Sequence, residues 1–205
     1  GIFELVPVYS FSDRMKVGSW KMINHIGTNS IETIRLILRR FKLEDAPDMY
    51  KNWASDIDTL KYLSWGPHSN IGVTQWRILS WIKHYEEANV YNWAIYLKSI
   101  QEVIGSISVE ISSDKKKSCE IGYCIGKEFW GREIVVEALR AVMHYLFSEV
   151  GYRKIIAKYD VLNKASGRVM QKAGMEYEKT LLNVGHRRDG SVYDVNVYVK
   201  YYDKA

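Results

Sequence analysis

Apolar residues change their spacing several times along the chain, and each change marks the boundary of a predicted element. Branched and aliphatic residues dominate the segment before Lys42, which is typical of a strand. Apolar positions then recur at helical spacing on both sides of a cluster of turn residues near Gly66. The first part of the chain is thus predicted to contain, in order, a strand at 33–41, helical segments at 43–53 and 56–62, and a helix at 73–88.

The middle of the chain has the period-two alternation of strands. Three such segments follow one another, separated first by Gln101-Glu102 and then by a tip rich in Ser, Asp and Lys. Short polar connections of this kind join neighbouring strands in hairpins. The sequence therefore predicts an antiparallel meander with strands at 92–100, 103–112 and 118–126.

The last third of the chain alternates between the two periods. Apolar residues from Ala138 to Leu146 mark one face of a helix of about four turns that ends near Gly151. A strand, a short helix closed by Gly174 and a hairpin around Arg188-Asp189-Gly190 complete the pattern. These elements are predicted at 154–160, 165–173, 175–186 and 191–201, and their order is that of a mixed α/β (α+β) fold.

Length and composition indicate one globular domain. The chain has 205 residues, of which 47% are hydrophobic, with no low-complexity block. Residues 1–30 fit the pattern poorly, because a short apolar start gives way to a polar stretch that contains Gly27. We therefore predict an N-terminal extension of uncertain role at 1–30 and a single domain at 31–205.

Charge and hydropathy argue against nucleic-acid and membrane partners. The formal net charge is +5, but acidic residues are interleaved with basic ones, and the basic run Lys115-Lys116-Lys117 lies at a predicted hairpin tip. No apolar run approaches the roughly 20 residues needed to cross a bilayer. The N-terminal stretch lacks the basic leader of a signal peptide. We expect neither a nucleic acid nor a membrane as partner.

The cysteines and histidines give no sign of a disulfide or a metal site. Cys119 and Cys124 lie five positions apart in a predicted strand, which places them on opposite faces and about 16 Å from each other. Free thiols are typical of a reduced, cytoplasmic protein. None of the five histidines is spaced as a metal ligand from another histidine or a cysteine. No metal is predicted.

The junction between the third meander strand and the next helix is a candidate anion site, because free N–H groups and the helix dipole both favour negative charge there. Its sequence, from Trp130 to Leu139, resembles the pyrophosphate-binding motif of the GNAT acetyltransferases. The resemblance covers about 31–200 and is closest to the branch that includes the ribosomal-protein N-terminal (Rim-type) acetyltransferases. Other matching segments, in the order that the family shows, are Glu120–Ile125, Gly151–Ile155, Asn163–Ser166, Lys172–Met175 and the hairpin residues Asp189, Gly190 and Asp194.

The resemblance implies the GNAT acyl-CoA N-acyltransferase fold, a mostly antiparallel central sheet flanked by helices, and acetyl-CoA as acyl donor. The family loop reads Arg/Gln-x-x-Gly-x-Gly/Ala, where small residues let the backbone approach the pyrophosphate. This chain has Glu133 at the glycine position and Val135 at the second small position, and both replacements work against the site. The residues implied to bind the cofactor are Ile125, Trp130, Gly131, Arg132, Glu133, Ile134, Val135, Asn163 and Ser166.

Attack of an amine on the thioester requires a base and a donor for the departing thiolate. Glu120 lies on the less apolar face of its strand and is our candidate base; a solvent-exposed strand carboxylate is the alternative. The resemblance implies that Ser166 donates to the sulfur, because Met170 stands where other branches place a tyrosine. Ser166 and Asn163 could instead simply cap a helix.

The acceptor end is formed in the family by the early helices. On that ground Trp65 and Trp76 are candidate acceptor contacts, and His186 on the C-terminal hairpin is a third. Most aromatic residues at helical spacing are expected to be core.

Two functions remain open at this point. The first is direct acetyl transfer from acetyl-CoA to a primary amine, carried by a small molecule or a peptide, with a peptide N-terminus favoured by the branch. The second is a non-catalytic GNAT-fold binding module, because the loop is altered. The C-terminal hairpin and the aromatic residues leave a homodimer open.

Overall fold

The computed structural model describes residues 22–203, which form a single eight-stranded sheet with α-helices packed against it. The predicted mixed α/β arrangement, a mostly antiparallel central sheet flanked by helices, is confirmed. The strands are β1 Ile31–Glu32, β2 Leu36–Arg39, β3 Asn92–Leu97, β4 Glu102–Ser113, β5 Ser118–Ile125, β6 Lys154–Asp160, β7 Glu176–His186 and β8 Val192–Tyr201. The α-helices are α1 Ala46–Met49, α2 Ile71–Ile82, α3 Ile134–Tyr145 and α4 Lys164–Lys172, and short π-helical turns extend α1 over Tyr50–Ala54 and α3 over Leu146–Val150.

The sheet has one parallel pair of strands, β5 and β6, and these two strands separate after a short stretch of pairing. Strand order is β1-β2-β3-β4-β5-β6-β8-β7, with antiparallel neighbours everywhere except between β5 and β6. Within residues 22–203, β5 and β6 pair only over three positions, from Ser118↔Lys154 to Glu120↔Ile156. Beyond Glu120, β5 continues beside β4 while β6 continues beside β8. The two central strands therefore diverge and leave a cleft between them.

Each face of the sheet has its own core. The amphipathic α3 packs on one face, where Leu139 and Val142 are fully buried together with Cys119 and Ile121 of β5. The helical segments before β3 pack on the other face around Trp53 and Ile78. Cys124 contacts this second core, so the prediction that the two cysteines lie on opposite faces is confirmed, and both thiols are free.

The last residues of the predicted extension are part of the packed domain. Gly27 N–H donates to the Ala88 carbonyl at 2.7 Å, and the Thr28 hydroxyl donates to the Val90 carbonyl at 2.9 Å. The indole of Trp93, fully buried in the sheet, donates to the Asn29 carbonyl at 2.8 Å. Residues 22–30 therefore lie against the sheet, whereas 1–21 of the predicted extension lie outside the described residues.

The predicted helix at 56–62 is wrong, because that segment forms consecutive turns. The Asp56 carboxylate accepts bonds from the Thr59 hydroxyl and backbone N–H at 2.7 and 3.3 Å, which favours a local turn over a helix. The predicted helix at 73–88 is shorter than expected. The helix begins after its cap Asn70 and ends before Lys83. After Lys83 the chain forms turns in which a backbone N–H donates to the carbonyl three residues earlier.

No helix within residues 22–203 is both long enough and apolar enough to cross a membrane.

Candidate active site

Two cavities flank β5 and meet at its C-terminal end. The first, of about 520 Å³, lies between the N-terminal ends of α3 and α4 and is called here the α3/α4 cleft. The second, of about 530 Å³, opens on the opposite face of β5 and is called the tryptophan cleft. Leu63, Tyr123 and Cys124 line both cavities. A group that enters from one side can therefore reach a group that enters from the other.

The loop from β5 to α3 forms one wall of the α3/α4 cleft. The Trp130 indole donates to the Ile125 carbonyl at 3.0 Å, which ties the loop to the end of β5. Gly131 has φ +75°, and a side chain there would meet no atom within 4 Å. The first bond of α3 runs from the Glu137 N–H to the Glu133 carbonyl, so the preceding N–H groups of the helix have no intrahelical partner. These donors and the helix dipole favour an anion in the cleft.

Glu133 shows why the family uses glycine at this point of the loop. It is the cap residue of α3 and has φ 56°, in the left-handed region that costs an L-residue about 1–2 kcal/mol. Its carboxylate pairs with Lys172 at 2.7 Å, and that bond holds the pKa of Glu133 below its usual range. The side chain is 59% exposed. The carboxylate thus lines the cleft, neutralised by a cation from α4.

The second replacement in the loop has a different outcome. Val135 is 6% exposed and packs into the core under α3 with Ile134, so it fills the core as well as lining the cleft. Arg132 lies outside both cavities. Its guanidinium sits over the Phe129 ring, 5.6 Å from the centroid, and its carbonyl accepts a bond from Arg35 at 2.8 Å. Arg132, which the resemblance implies binds the cofactor, therefore does not line the cleft.

The N-terminal end of α4 forms the opposite wall. The Asn163 side chain accepts a bond from the Ser166 N–H at 3.3 Å, which caps the helix. The Ser166 hydroxyl lies 2.9 Å from the Tyr123 hydroxyl, which also donates to the Ser166 carbonyl at 3.1 Å. Met170 is 1% exposed in the core. The structure thus gives Asn163 its capping role and places Ser166 in a hydroxyl pair at the meeting point of the two clefts.

The lining of the α3/α4 cleft is cationic. Lys164, Arg168 and Lys172 project from α4, and Glu133 is the one carboxylate among the described lining residues. Because Lys172 is matched by Glu133, two cations remain without a counter-charge in the cleft. This charge favours a polyanionic ligand.

The tryptophan cleft has the opposite character. Its walls carry Trp53, Trp65, Trp81 and Tyr91, and one side of β4 presents Ser106, Ser108 and Glu110 at alternate positions. No lysine or arginine occurs among the lining residues within 22–203. Aromatic faces and a carboxylate attract a cation, which an aliphatic amine is at neutral pH.

Glu110 lies at a β-bulge on the side of β4 that faces this cleft. The register between β4 and β5 shifts between Val109 and Ile111, so Glu110 has no partner in β5 and its side chain turns over Gly122. A Cβ at Gly122 would collide with the Glu110 carboxylate. The residue is exposed at the cleft mouth, yet protein surrounds the carboxylate, and this desolvation raises its pKa, with the neighbouring charge of Glu120 adding to the effect.

Glu120 lies beside Glu110 but is already matched. Its carboxylate pairs with Lys158 of β6 at 2.8 Å, and the side chain is 15% exposed. The two carboxylates therefore differ, because one is held as an ion pair and the other has a raised pKa. Glu110, whose pKa is raised and which lines the tryptophan cleft, is the candidate proton acceptor of the two.

The predicted acceptor contacts fall in three places. Trp65 lines the tryptophan cleft, and its carbonyl accepts a bond from Arg188 of the β7–β8 tip at 2.8 Å. Trp76 is 66% exposed on the outer face of α2, outside both clefts. His186 is exposed at the end of β7 and lines neither cleft. The structure thus places Trp65, Ser166 and most of the loop on the walls of the two clefts, but not Trp76, His186 or Arg132, and Glu120, the predicted base, lies next to Glu110 without lining either cleft.

Three residues of the site were not predicted from the sequence: Glu110, Tyr123 and Lys172. The polar alternation Ser106, Ser108, Glu110 within an otherwise apolar strand is the signal that points to a cleft-facing side. No local pattern announces the partnership of Lys172 with Glu133 across 39 positions. Separately, the described residues contain no group of three or more metal-ligating side chains.

A sheet that splits beside a helix N-terminus, with clefts of opposite charge on the two sides of the split, defines an acyltransferase of the GNAT type. A family model described as "Acetyltransferase (GNAT) domain" matches residues 35–176, and the chain belongs to this family. It is an N-acetyltransferase.

Similar proteins agree with this assignment. The N-acetyltransferase YoaA of Bacillus subtilis is 30% identical over 168 residues, which cover 82% of this chain and 94% of YoaA. The [ribosomal protein uS5]-alanine N-acetyltransferase of Escherichia coli is 25% identical over 154 residues, covering 72% and 78% of the two chains. The microcin C7 self-immunity acetyltransferase MccE, solved with acetyl-CoA and AMP, has the same fold with a TM-score of 0.74 at 24% identity, covering 83% and 94%.

Proposed function

We propose that this N-acetyltransferase moves an acetyl group from acetyl-CoA, bound in the α3/α4 cleft, to a cationic primary amine bound in the tryptophan cleft. The observation that carries the proposal is the meeting of a cationic and an anionic cavity at Tyr123 and Cys124. Each cavity has the charge that suits one of the two reactants. The ribosomal-protein acetyltransferases among the relatives favour a peptide α-amine as acceptor.

The residues present fit the donor. Its phosphates need positive charge and free N–H groups, which α4 and the start of α3 supply. Lys164, Arg168 and the N–H groups after Glu133 would hold them. The thioester that acetyl-CoA supplies is the activated acyl group of the reaction.

Glu110 is proposed as the base that accepts a proton from the acceptor ammonium, directly or through one water. Its raised pKa brings it closer to the operating pH than an ordinary carboxylate, which makes it a better proton acceptor. Glu120 pairs with Lys158 beside it, and the charge of Glu120 contributes to the raised pKa of Glu110. In this proposal Glu120, the predicted base, is a positioning residue.

The Ser166–Tyr123 hydroxyl pair is proposed to donate to the departing thiolate. Burial raises the pKa of Tyr123, so its hydroxyl stays protonated and remains a donor. Cys124 lies at the same point, but burial raises the pKa of its thiol to about 12, which leaves it unionised at neutral pH. This supports direct attack by the amine over an acyl-cysteine route.

Calorimetry with acetyl-CoA, followed by initial rates with acceptor amines, tests the proposal. We expect micromolar to millimolar binding of acetyl-CoA and turnover of a peptide with a free N-terminal amine, but none of the same peptide after N-terminal acetylation. Absence of heat at millimolar acetyl-CoA would instead favour the non-catalytic binding module that the altered loop leaves open.

Replacing Glu133 with glycine is expected to tighten acetyl-CoA binding severalfold. The change removes a carboxylate from the cleft and frees Lys172, and glycine adopts φ 56° without strain. The free energy of unfolding should change by less than about 1 kcal/mol, since relief of strain and the larger entropy of unfolded glycine oppose each other. Calorimetry gives the affinity and urea unfolding gives the stability.

The control is Glu133→Gln, which removes the charge but keeps the left-handed side chain. If both variants bind acetyl-CoA as the wild type does, the Glu133 carboxylate does not oppose the donor.

A further inference from the structure

Three polar side chains lie next to one another on the part of the sheet that lines the tryptophan cleft. Asn92 of β3 stands directly opposite Ser108 of β4, and Ser108 stands opposite Gly122 of β5. Residues directly opposite each other share one face of a sheet, and Ser106, two positions before Ser108, lies on the same face. All three side chains line the cavity. We call Asn92, Ser106 and Ser108 the polar floor.

The side chains of the polar floor have no hydrogen-bond partner in the part of the chain that the structure describes. The main chain of Asn92 is fixed, because its N–H donates to the Thr28 hydroxyl at 3.0 Å and its carbonyl accepts from the Tyr85 hydroxyl at 3.0 Å. The side-chain amide of Asn92 and the hydroxyls of Ser106 and Ser108 are not used in this way, although all three residues are half-buried. Polar groups that are partly removed from water favour a ligand that bonds to them.

The polar floor lies within reach of an acceptor whose amine contacts Glu110. The Glu110 carboxylate lies over Gly122, and Gly122 stands opposite Ser108. Because neighbouring strands lie about 4.8 Å apart, the backbone of Asn92 is about 10 Å from that of Gly122. An extended peptide advances by about 3.3–3.6 Å per residue. The first two or so peptide groups after the amine can therefore lie over Ser108 and Asn92.

The chemistry of the polar floor matches that of a peptide group. A side-chain amide offers N–H donors and a carbonyl acceptor, and a serine hydroxyl both donates and accepts. A peptide group likewise has a donor and an acceptor and carries no charge. Among the described lining residues Glu110 is the one carboxylate, so the second ammonium of a polyamine would find no counter-charge. The carboxylate of a free amino acid would meet Glu110, with no lysine or arginine among those residues.

We propose that the polar floor binds the main-chain amides of the acceptor, so that the enzyme recognises a peptide α-amine by the peptide groups that follow it. The inference rests on the proposed function and names the contacts that select the acceptor. A simple alkylamine can reach Glu110 but leaves the polar floor without partners, which removes the contribution of those hydrogen bonds.

Initial rates with trialanine amide, and inhibition of that reaction by hexylamine, test the proposal. Asn92→Ala and Ser108→Ala are each expected to raise the KM for trialanine amide roughly three- to tenfold, the size of one or two neutral hydrogen bonds. At saturating acceptor kcat should stay within about twofold, because these contacts are the same in the ground state and the transition state. The inhibition constant of hexylamine should not change, because hexylamine has no amide.

The matched control is Ser99→Ala, in the exposed turn before β4 and outside both clefts, which should keep the wild-type KM. Thermal unfolding is measured for every variant. Ser108→Ala removes a single oxygen atom, so it decides the outcome if Asn92→Ala lowers the unfolding temperature.

An unchanged KM for trialanine amide in Asn92→Ala and Ser108→Ala, with unchanged thermal unfolding, overturns the role of the polar floor and leaves the proposed function intact. An equal rise in this KM and in the inhibition constant of hexylamine also overturns it, because the loss would not depend on amides. A wild type that hexylamine does not inhibit supports the proposal, since the amine alone would then not suffice for binding.

Glucosamine offers hydroxyls in place of amides and is the third acceptor. If the wild type acetylates glucosamine with a higher kcat/KM than trialanine amide, and both variants lose that activity, the polar floor binds hydroxyls and the peptide assignment is wrong. No acetyl transfer by the wild type to any of these amines removes the proposed function itself.

Discussion

Glu110→Gln is expected to lower kcat for acetyl transfer by roughly two to four orders of magnitude, the range that general-base catalysis contributes. The amide keeps the shape of the side chain over Gly122 but cannot accept the proton of the acceptor ammonium. The KM for acetyl-CoA should not change, because Glu110 lines the tryptophan cleft and not the α3/α4 cleft. Initial rates at saturating acetyl-CoA measure the effect.

Two further variants distinguish the loss of a catalytic base from the loss of a nearby negative charge. Glu176→Gln, on the exposed start of β7, should keep wild-type rates. Glu120→Gln should lower kcat less than Glu110→Gln, and it should shift the acidic limb of the pH profile downwards, because the charge of Glu120 contributes to the raised pKa of Glu110. A loss in Glu120→Gln that exceeds the loss in Glu110→Gln would contradict this assignment and restore Glu120 as the base.

The free energy of unfolding of Glu110→Gln at different pH values tests the raised pKa of Glu110 independently of catalysis. Desolvation raises the pKa of Glu110 in the folded state, so the folded protein binds this proton more tightly than the unfolded chain does. Its contribution to stability is therefore present below the unfolded pKa and is lost as the pH rises through the folded pKa. Glu110→Gln should be more stable than the wild type near neutral pH, with a smaller difference at about pH 4. Urea unfolding at the two pH values checks the sign.

Asp160→Ala is expected to lower the free energy of unfolding by about 3–5 kcal/mol, the usual cost of breaking a buried ion pair. The Asp160 side chain is 2% exposed and pairs with Arg187 at 2.5 Å. Its other oxygen accepts a bond from the Leu162 N–H at 3.0 Å, which shapes the turn into α4. The variant leaves the Arg187 charge largely buried without its partner. Urea unfolding measures the loss.

The same sheet provides a matched pair for comparison. Lys154 and Glu178 form an ion pair at 2.9 Å whose side chains are 26% and 31% exposed, against 2% for Asp160. Glu178→Ala should therefore cost about 1 kcal/mol or less. Equal losses in Asp160→Ala and Glu178→Ala would contradict the larger cost expected for the more buried ion pair.

Elements with a clear hydrophobic period were predicted well. The segment whose conformation depends on a side-chain hydrogen bond to the backbone was not. Strand β6 matches its prediction at both ends, Lys154 and Asp160. The segment after Asp56 was predicted as a helix, but the Asp56 carboxylate satisfies the Thr59 N–H and hydroxyl and forms a turn. The spacing of apolar residues carries no information about whether a side-chain hydrogen bond will favour a turn over a helix.

The candidate site divides in the same way. The loop from Trp130 to Val135 and the pair Asn163 and Ser166 line the predicted cleft, apart from Arg132, because their order along the chain is local information. Alternation with Ser106 and Ser108 places Glu110 on the cleft-facing side of β4. It does not show the bulge that removes the partner of Glu110 in β5 and turns its side chain over Gly122. Trp76 is predicted as an acceptor contact from its place in an early helix, but its side chain is exposed on the outer face of α2.

The short pairing of β5 with β6 gives the molecule an internal edge strand. Within residues 22–203, no strand pairs with the side of β5 that faces β6 after Glu120. The C-terminal end of β5 there lines the α3/α4 cleft. Backbone amides and carbonyls in such a place need partners, and an extended ligand that contains amides can add to the edge as another strand does. Recognition through main-chain atoms is insensitive to side-chain replacement. Main-chain contacts of a ligand along β5 would therefore not depend on the side chains of Glu133 and Val135, even though both line the cleft.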